Sequence, residues 1–536
     1  MTTQQPTLEL LLARLSPRVS SLYASNATAR FVVDLVLMML GFLMFSKFLR
    51  VVTVLPEADY FEWSIVWGLV THHPVYILTG LSILGVLIRY GALADRWADI
   101  GHGSVLRLCI GLLAVLLAWP YVLYDYNYYL DQSHLLDRVL LALLAGLIVW
   151  RPVFVIGFLL VQMTIMWQFL QPTLGGSLFA HKLQVSYPLI LFAAALGVHA
   201  ITQRFPTRAF MLLLLTMVAA AYWEAARAKY VLDWALTNEL HLILPAAYNH
   251  GWLGGWSAET IASISRAIAP LDLPLQVIVM VLEAASLVIL WNRRLAVTLL
   301  TGLIAFHIGV FAFYGFLFWT WIALDVVVVI LLLQLQPDIF GLRMILLSAP
   351  LILVGTYWTH APSLGWLDTR LGYTYRVEAL TAEGKWQQLD PAYFGPYQDT
   401  FTMTGFSYLS PSALTGPYAV SHDPELAARL REPLSLTELV ALEKSAPTSP
   451  NPARVVRFEE FIRTFVRNRN RNGHLWRWTE LVEPPGQFLH TGSRGVAELE
   501  DIEEVVVIEV TSFTENAGPR VLREVEVSRI MIGGTP

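Results

Sequence analysis

The sequence predicts a polytopic α-helical membrane protein of about eleven spans with a C-terminal extracytoplasmic α+β domain. Three observations predict it. The 536 residues are 56% hydrophobic and only 14% charged, whereas soluble domains carry roughly 25% charged residues. The apolar residues fall in blocks of about 17 to 25, the length of helix that crosses a bilayer. From about Gly365 the long apolar runs vanish and charged residues become frequent.

Residues 1–30 are polar, so the first apolar block, from Phe31, is expected to act as an uncleaved signal anchor. The transmembrane helical domain is expected over 31–360. Its spans fall roughly at 31–49, 73–89, 105–123, 136–150, 152–169, 186–201, 208–230, 273–291, 295–313, 316–334 and 343–358. Arg14, Arg18 and Arg30 precede the first span, and Arg89, Arg96, Arg107, Arg151, Arg204, Arg208, Arg293, Arg294 and Arg343 all fall on that same side. The alternate loops are poorer in Lys and Arg; 50–72 carries Glu57, Asp59 and Glu62, and 124–135 carries Asp125 and Asp131. The bias of Lys and Arg towards the cytoplasm then predicts an inner or plasma membrane protein, N-terminus inside and C-terminal domain outside.

The soluble domain, 361–536, reads as two hairpins with helices between them. Tyr373–Leu380 and Lys385–Leu389 flank a turn, as do Glu503–Phe513 and Val521–Ile532. Pro424–Lys444 and Arg457–Asn470 read as helices, separated by a linker over Ala446–Pro452. Ala258–Ile268 reads as a short amphipathic helix in the outer loop 235–272.

A net charge of −5 gives no case for nucleic acid, and membrane lipid is the expected partner. The basic, aromatic tract from Arg463 to Trp478 could bind nucleic acid, but its outer location favours a solvated helix end or lipid headgroups. The single Cys109 excludes an intrachain disulfide and a cysteine metal site. No metal is predicted, because no segment carries ligand spacing of the His-x3-His kind.

The seventh span carries the most informative residues. A hydrocarbon run, Phe210–Ala221, passes without a loop signal into Tyr222, Trp223, Glu224, Arg227, Lys229, Asp233 and Trp234. Ionisable residues at such a position are functional candidates. On a helix Tyr222, Lys229 and Asp233 share one stripe, and Glu224 and Arg227 share another. Two intrahelical ion pairs at a membrane boundary would explain the pattern. So would a desolvated lysine acting as a general base, unless Asp233 pairs with it.

His307 lies mid-span, and Glu283 of the preceding span is its natural partner. His199 and Asp34 are also intramembrane, with no evident link to these two. Tyr121–Arg138 reads as an aromatic belt with a solvated turn, in which His134, Asp137 and Arg138 lie on the membrane face of Lys229.

Lys229-x-x-x-Asp233-Trp234, preceded by Tyr222-Trp223-x-Ala225-Ala226, resembles the signature of vitamin K-dependent γ-glutamyl carboxylases. Phe306-His307 and Glu283 resemble that family's residues in later spans. The helical half followed by an outer β-containing domain is similar to the HTTM (horizontally transferred transmembrane) superfamily. The resemblance implies a bacterial-type, quinol-dependent enzyme acting on a peptide or protein substrate at the outer membrane face. Lys229 would deprotonate a hydroquinone such as reduced vitamin K or menaquinol, with O2 and CO2 as co-substrates. His307 and Glu283 would stabilise charge or relay protons, and Tyr222, Asp233 and Trp234 would line the quinone pocket. The family's Asn-Asn-His triplet is replaced by Leu135-Leu136-Asp137, which leaves His134, one turn upstream, as the candidate substitute.

The alternative is a non-catalytic membrane module that binds lipid or quinone, or serves peptide-toxin maturation or export as SdpB-type relatives do. Lys229 would then be a structural ion-pair partner. A transporter is disfavoured, since no inverted repeat or Gly/Pro-broken pair of spans is visible.

Overall fold

The computed structural model describes residues 26–89, 96–100, 102–123, 126–172, 174, 179–410, 413–445, 451–473, 484–489 and 501–533. Arg14, Arg18, Asp125, most of the 446–452 linker and positions 474–478 of the basic tract lie outside the described residues.

Helices fill the first two thirds. They are α1 Ala27–Thr53, α2 Ile65–His72, α3 Pro74–Arg89, α4 Gly103–Leu123, α5 Leu135–Trp150, α6 Phe154–Gln168, α7 Phe179–Thr202 and α8 Thr207–Val231. There follow α9 Trp234–Thr237, α10 Ile243–Asn249, α11 Ala258–Ile268, α12 Asp272–Ala284, α13 Arg293–Tyr314, α14 Trp319–Leu335, α15 Leu342–Leu353 and α16 Gly355–Thr359. Among the described residues six helical stretches are long and apolar enough to cross a membrane: Ala27–Thr53, Gly103–Leu123, Val185–Thr202, Thr207–Val231, Ala258–Val288 and Arg293–Tyr314. The other apolar blocks also fold as helices, but shorter ones.

Local chemistry sets many of the ends. Asn26 accepts the Thr28 and Ala29 N–H groups, Ser64 caps α2, and Asn292 accepts Leu295 N–H at the start of α13. Each satisfies a donor that the first turn leaves unpaired. The amphipathic α11 forms as expected, yet it runs through a 3₁₀ turn at Ala269–Leu271 into α12 rather than standing apart.

The C-terminal region holds a four-stranded antiparallel sheet of order β3-β2-β5-β6. The strands are β2 Leu371–Thr381, β3 Trp386–Gln388, β5 Ile502–Glu515 and β6 Gly518–Met531. Both expected hairpins are present, with Tyr373 opposite Thr511 and Val377 opposite Val507 across the central pair. A two-residue ladder of β1 Leu367–Asp368 with β4 Val420–Ser421 was not foreseen, because it is too short to carry a period. The helix expected over Pro424–Lys444 is two, α18 Pro424–Arg429 and α19 Leu436–Ser445, following α17 Gln398–Met403. Pro433 lies in the break, where it lacks an N–H and crowds the preceding turn. The last helix, α20 Pro452–Asn472, contains the expected one.

The segment expected to be a solvated turn is a buried seam instead. Tyr128, Tyr129 and Leu130 sit in the C-terminal region's core, with Tyr129 5.2 Å from Phe461 and Tyr128 5.4 Å from Phe465 between ring centroids. Asn468 donates to the Tyr128 carbonyl at 2.6 Å. Aromatic side chains carry large apolar area, so a Tyr-rich loop is well suited to such a seam.

Candidate functional site

Helix α8 is deeply embedded, with nearly all of its residues from Ala209 to Lys229 buried. Its small residues make that possible. A Cβ on Gly355 would meet Ala220 Cβ at 2.4 Å, and one on Gly365 would meet the Ala228 carbonyl carbon at 2.6 Å. Neighbouring backbone therefore lies directly on α8, a packing that membrane helices achieve through small side chains.

The face of α8 that carries Tyr222, Ala225 and Lys229 opens onto a cavity of about 400 Å³. Its walls are α12 and α13, with Trp321 of α14 and a roof from Trp234, His241 and Trp366. The lining is overwhelmingly apolar with a few convergent polar groups, the usual make-up of a small-molecule site.

Two polar clusters face this space. Lys229 Nζ donates to both carboxylate oxygens of Glu283, at 2.7 and 2.9 Å. Both side chains are buried, and the ammonium lies 5.6 Å from the Trp234 ring centroid. Opposite charges at this depth tolerate one another only when paired and hydrogen-bonded. In the second cluster Tyr222 Oη contacts His307 Nε2 at 3.0 Å and donates to Asp325 Oδ2 at 2.6 Å. Trp321 and Phe318 pack against this imidazole.

Sequence reasoning named Lys229, Glu283, His307, Tyr222 and Trp234, and the structure brings all five to one cavity. It corrects three partnerships. Glu283 pairs with Lys229 rather than with His307. Asp233 does not share the Lys229 stripe, because α8 ends at Val231 and Asp233 takes a left-handed turn (φ 50°) as the exposed cap of α9. His134 is not among the cavity residues; it precedes α5, and its Nε2 contacts the Glu62 carbonyl at 3.0 Å. Its neighbour Asp137 accepts from Ser64 Oγ and the Ile65 and Val66 N–H groups, which fastens the start of α2. Glu224 and Arg227 do pair within the helix, at 2.5 Å. Asp34 pairs with Arg204 at 3.2 Å.

Asp325 went unnoticed, although a single acid inside Leu324-Asp325-Val326 is the kind of signal that singled out His307. The pair His241–Asp272, at 2.6 Å, carries no spacing signal, because its partners are 31 residues apart with α10 and α11 between them.

Above the cavity, Asp368 accepts from Asn238 Nδ2 at 2.7 Å and from Tyr314 Oη at 3.0 Å. Burial pushes its carboxyl up to about 7, against the pull of the Asn238, Tyr314 and Trp366 donors. Among the described residues no group of three His, Cys, Asp or Glu is placed to hold a metal ion. No family model, curated protein or solved structure matches the chain.

Proposed function

We propose that this is an HTTM-type integral membrane protein resembling the γ-glutamyl carboxylases, in which the cavity binds a hydroquinone and Lys229 accepts its hydroxyl proton. The observation that carries the reading is the Lys229–Glu283 pair set into the wall of a 400 Å³ apolar cavity beside His307 and Tyr222. Apolar walls suit a membrane-soluble ring, and two polar clusters suit its oxygens. Transfer of one proton from Nζ to the Glu283 carboxylate leaves a neutral amine without changing the pair's net charge. That amine can then take a ligand proton, and Glu283 stays neutral beside the new ammonium. Bound reduced vitamin K or menaquinol would supply, with O2, the base strength that removes a carbon-bound proton from a peptide glutamate, to which CO2 adds. The soluble region would present the peptide.

The outer location of that region belongs to the same proposal. With eleven crossings, the connections after the first, third, fifth, seventh and ninth share a side with the C-terminus. Tyr60 and Tyr128 join the soluble region's core, Tyr408 Oη donates to Leu174 O, Asn249 Nδ2 to Ser512 Oγ, and Leu317 N–H to Gln487 O. The other connections meet one another, through Trp97 to Ile148, Arg204 to Asp34, Arg208 to Asp338 and Gly341 to Leu290. The arginine-rich side would then be cytoplasmic.

A second reading is favoured by the closure of the pair. Lys229 contacts both Glu283 oxygens, as a purely structural ion pair in a lipid- or quinone-binding module would. One experiment separates the two. Full-length protein in lipid nanodiscs is given reduced vitamin K, and oxygen uptake is followed for wild type and for Lys229→Met/Glu283→Gln. The enzyme reading expects uptake that falls by about 100-fold or more in the variant. Equal rates would sink it, and quinone quenching of tryptophan fluorescence without uptake would leave the binding module.

A further inference from the structure

Asp325 does not line the cavity; it reaches that space only through Tyr222. It is fully buried, on α14, and one of its carboxyl oxygens, Oδ1, has no hydrogen-bond partner among the described residues. A carboxylate in the middle of an apolar helix with half its acceptor capacity unused is costly, and a proton on it removes most of the cost.

The hydrogen-bond directions say where such a proton could come from. A phenol has one proton. With the Tyr222 proton on Asp325, the bond between Tyr222 Oη and His307 must be donated by Nε2–H, so His307 is the Nε2–H tautomer. We propose that His307, Tyr222 and Asp325 form a proton wire from the cavity, with Asp325 as its store. A proton arriving at His307 Nδ1 moves the Nε2 proton to Tyr222 and the Tyr222 proton to Asp325. The end state is a neutral carboxylic acid, an intact phenol and an Nδ1–H imidazole. Every N–H or O–H broken is matched by one formed, and the cluster passes from a net charge of minus one to zero. No imidazolium is left in the membrane interior, which is what distinguishes a wire from a lone histidine base.

This deepens the reading above only in one respect, the source of the proton, which would be a ligand hydroxyl. Lys229 and the wire would then serve two different protons. Tyr222 and His307 are the titratable groups bonded in the cluster, and Glu283, held by Lys229, acts on Tyr222 from α12. Helices α4 and α7 also pack on α14 and carry Cys109, Tyr121, Tyr187 and His199 within the bundle.

The test needs no turnover. Infrared difference spectra are recorded across a pH titration of the full chain in nanodiscs, in H2O and D2O. The wire predicts one carboxylic-acid carbonyl band, missing in Asp325→Asn, that appears at the same pH as the Nε2–H to Nδ1–H imidazole marker. In Asp325→Asn the imidazole should instead give an imidazolium signal. In Tyr222→Phe, which removes the link while keeping the ring, the carboxyl and imidazole signals should separate in pH. The proposal is overturned if they titrate apart in wild type, if Tyr222→Phe leaves them together, or if the imidazole behaves identically in Asp325→Asn. Tyr222→Phe decides the matter alone should the asparagine variant fail to fold. The outcome is independent of oxygen uptake, so failure of the wire and failure of the hydroquinone reading are separable.

Discussion

Helix α8 carries two ion pairs within two turns of each other, and they differ in what surrounds them. Glu224 and Arg227 belong to the same helix, three residues apart; the guanidinium is half exposed, and Thr356 Oγ1 also donates to the carboxylate at 3.0 Å. Lys229 and Glu283 come from different helices, are both buried, and face the cavity. The first pair can lean on water and a neighbouring hydroxyl. Among the described residues the second has the two partners themselves and the Trp234 ring, so each partner is needed by the other. Asp368 extends the comparison to a buried acid whose side-chain hydrogen-bond donors among the described residues, Asn238, Tyr314 and Trp366, are all neutral. Depth and source of compensation, rather than the charges themselves, decide what each acid can do.

That comparison can be broken experimentally, beginning where the largest effect is expected. Lys229→Met or Glu283→Gln alone should cost about 3–5 kcal/mol, since either strands a buried partner. The double variant should recover most of that loss, a coupling read from a double-mutant cycle of unfolding in nanodiscs. Simple additivity would show that the pair is not a closed unit.

For Asp368 the folded carboxyl titrates near 7, above the unfolded value of about 3.9. Its contribution to stability is therefore complete below about pH 4 and is lost as pH rises through about 7, a change on the order of 4 kcal/mol at most. Melting temperature against pH should fall across that window in wild type and run flatter in Asp368→Asn. Parallel curves would mean that the roof is not a neutral-acid site.

Gly365→Ala sharpens the comparison from the packing side. Its Cβ would sit 2.6 Å from the backbone of Ala228, next to Lys229, and overpacking of that kind costs about 1–3 kcal/mol. A melting temperature equal to wild type would show that the roof moves freely. The smallest effect is expected for Arg227→Gln, about 1 kcal/mol or less, because a half-exposed guanidinium is well screened. A loss as large as that of Lys229→Met would erase the distinction between the two pairs.

How much was legible beforehand follows the same division. Glu224–Arg227 could be read directly, because positions three apart on a helix are neighbours whatever the rest of the chain does. For Lys229 the same logic offers Asp233 as a partner, beside the reading of an unpaired lysine base, and that pairing fails because the helix ends at Val231 and Asp233 turns away in a left-handed conformation. Glu283 was noticed as an intramembrane acid but matched with the wrong base. Asp325 had the same local signature and was passed over. The Tyr-rich loop looked like a membrane belt, since its burial depends on a helix more than 300 residues away.

The amino-acid sequence alone determined the helical, membrane-adapted character, the change of composition near Gly365, the two hairpins and the residues that would matter on α8. All of these rest on apolar block length, period and local turn chemistry, which need no partner. Tertiary structure decided who pairs with whom. It moved Glu283 from His307 to Lys229, recruited Asp325 through Tyr222, removed Asp233 and His134 from the cavity, and turned the 126–132 loop into a seam. The physical reason is that a buried charge is satisfied by whichever group packing delivers to within about 3 Å, and the delivering helices are tens to hundreds of residues apart in the chain.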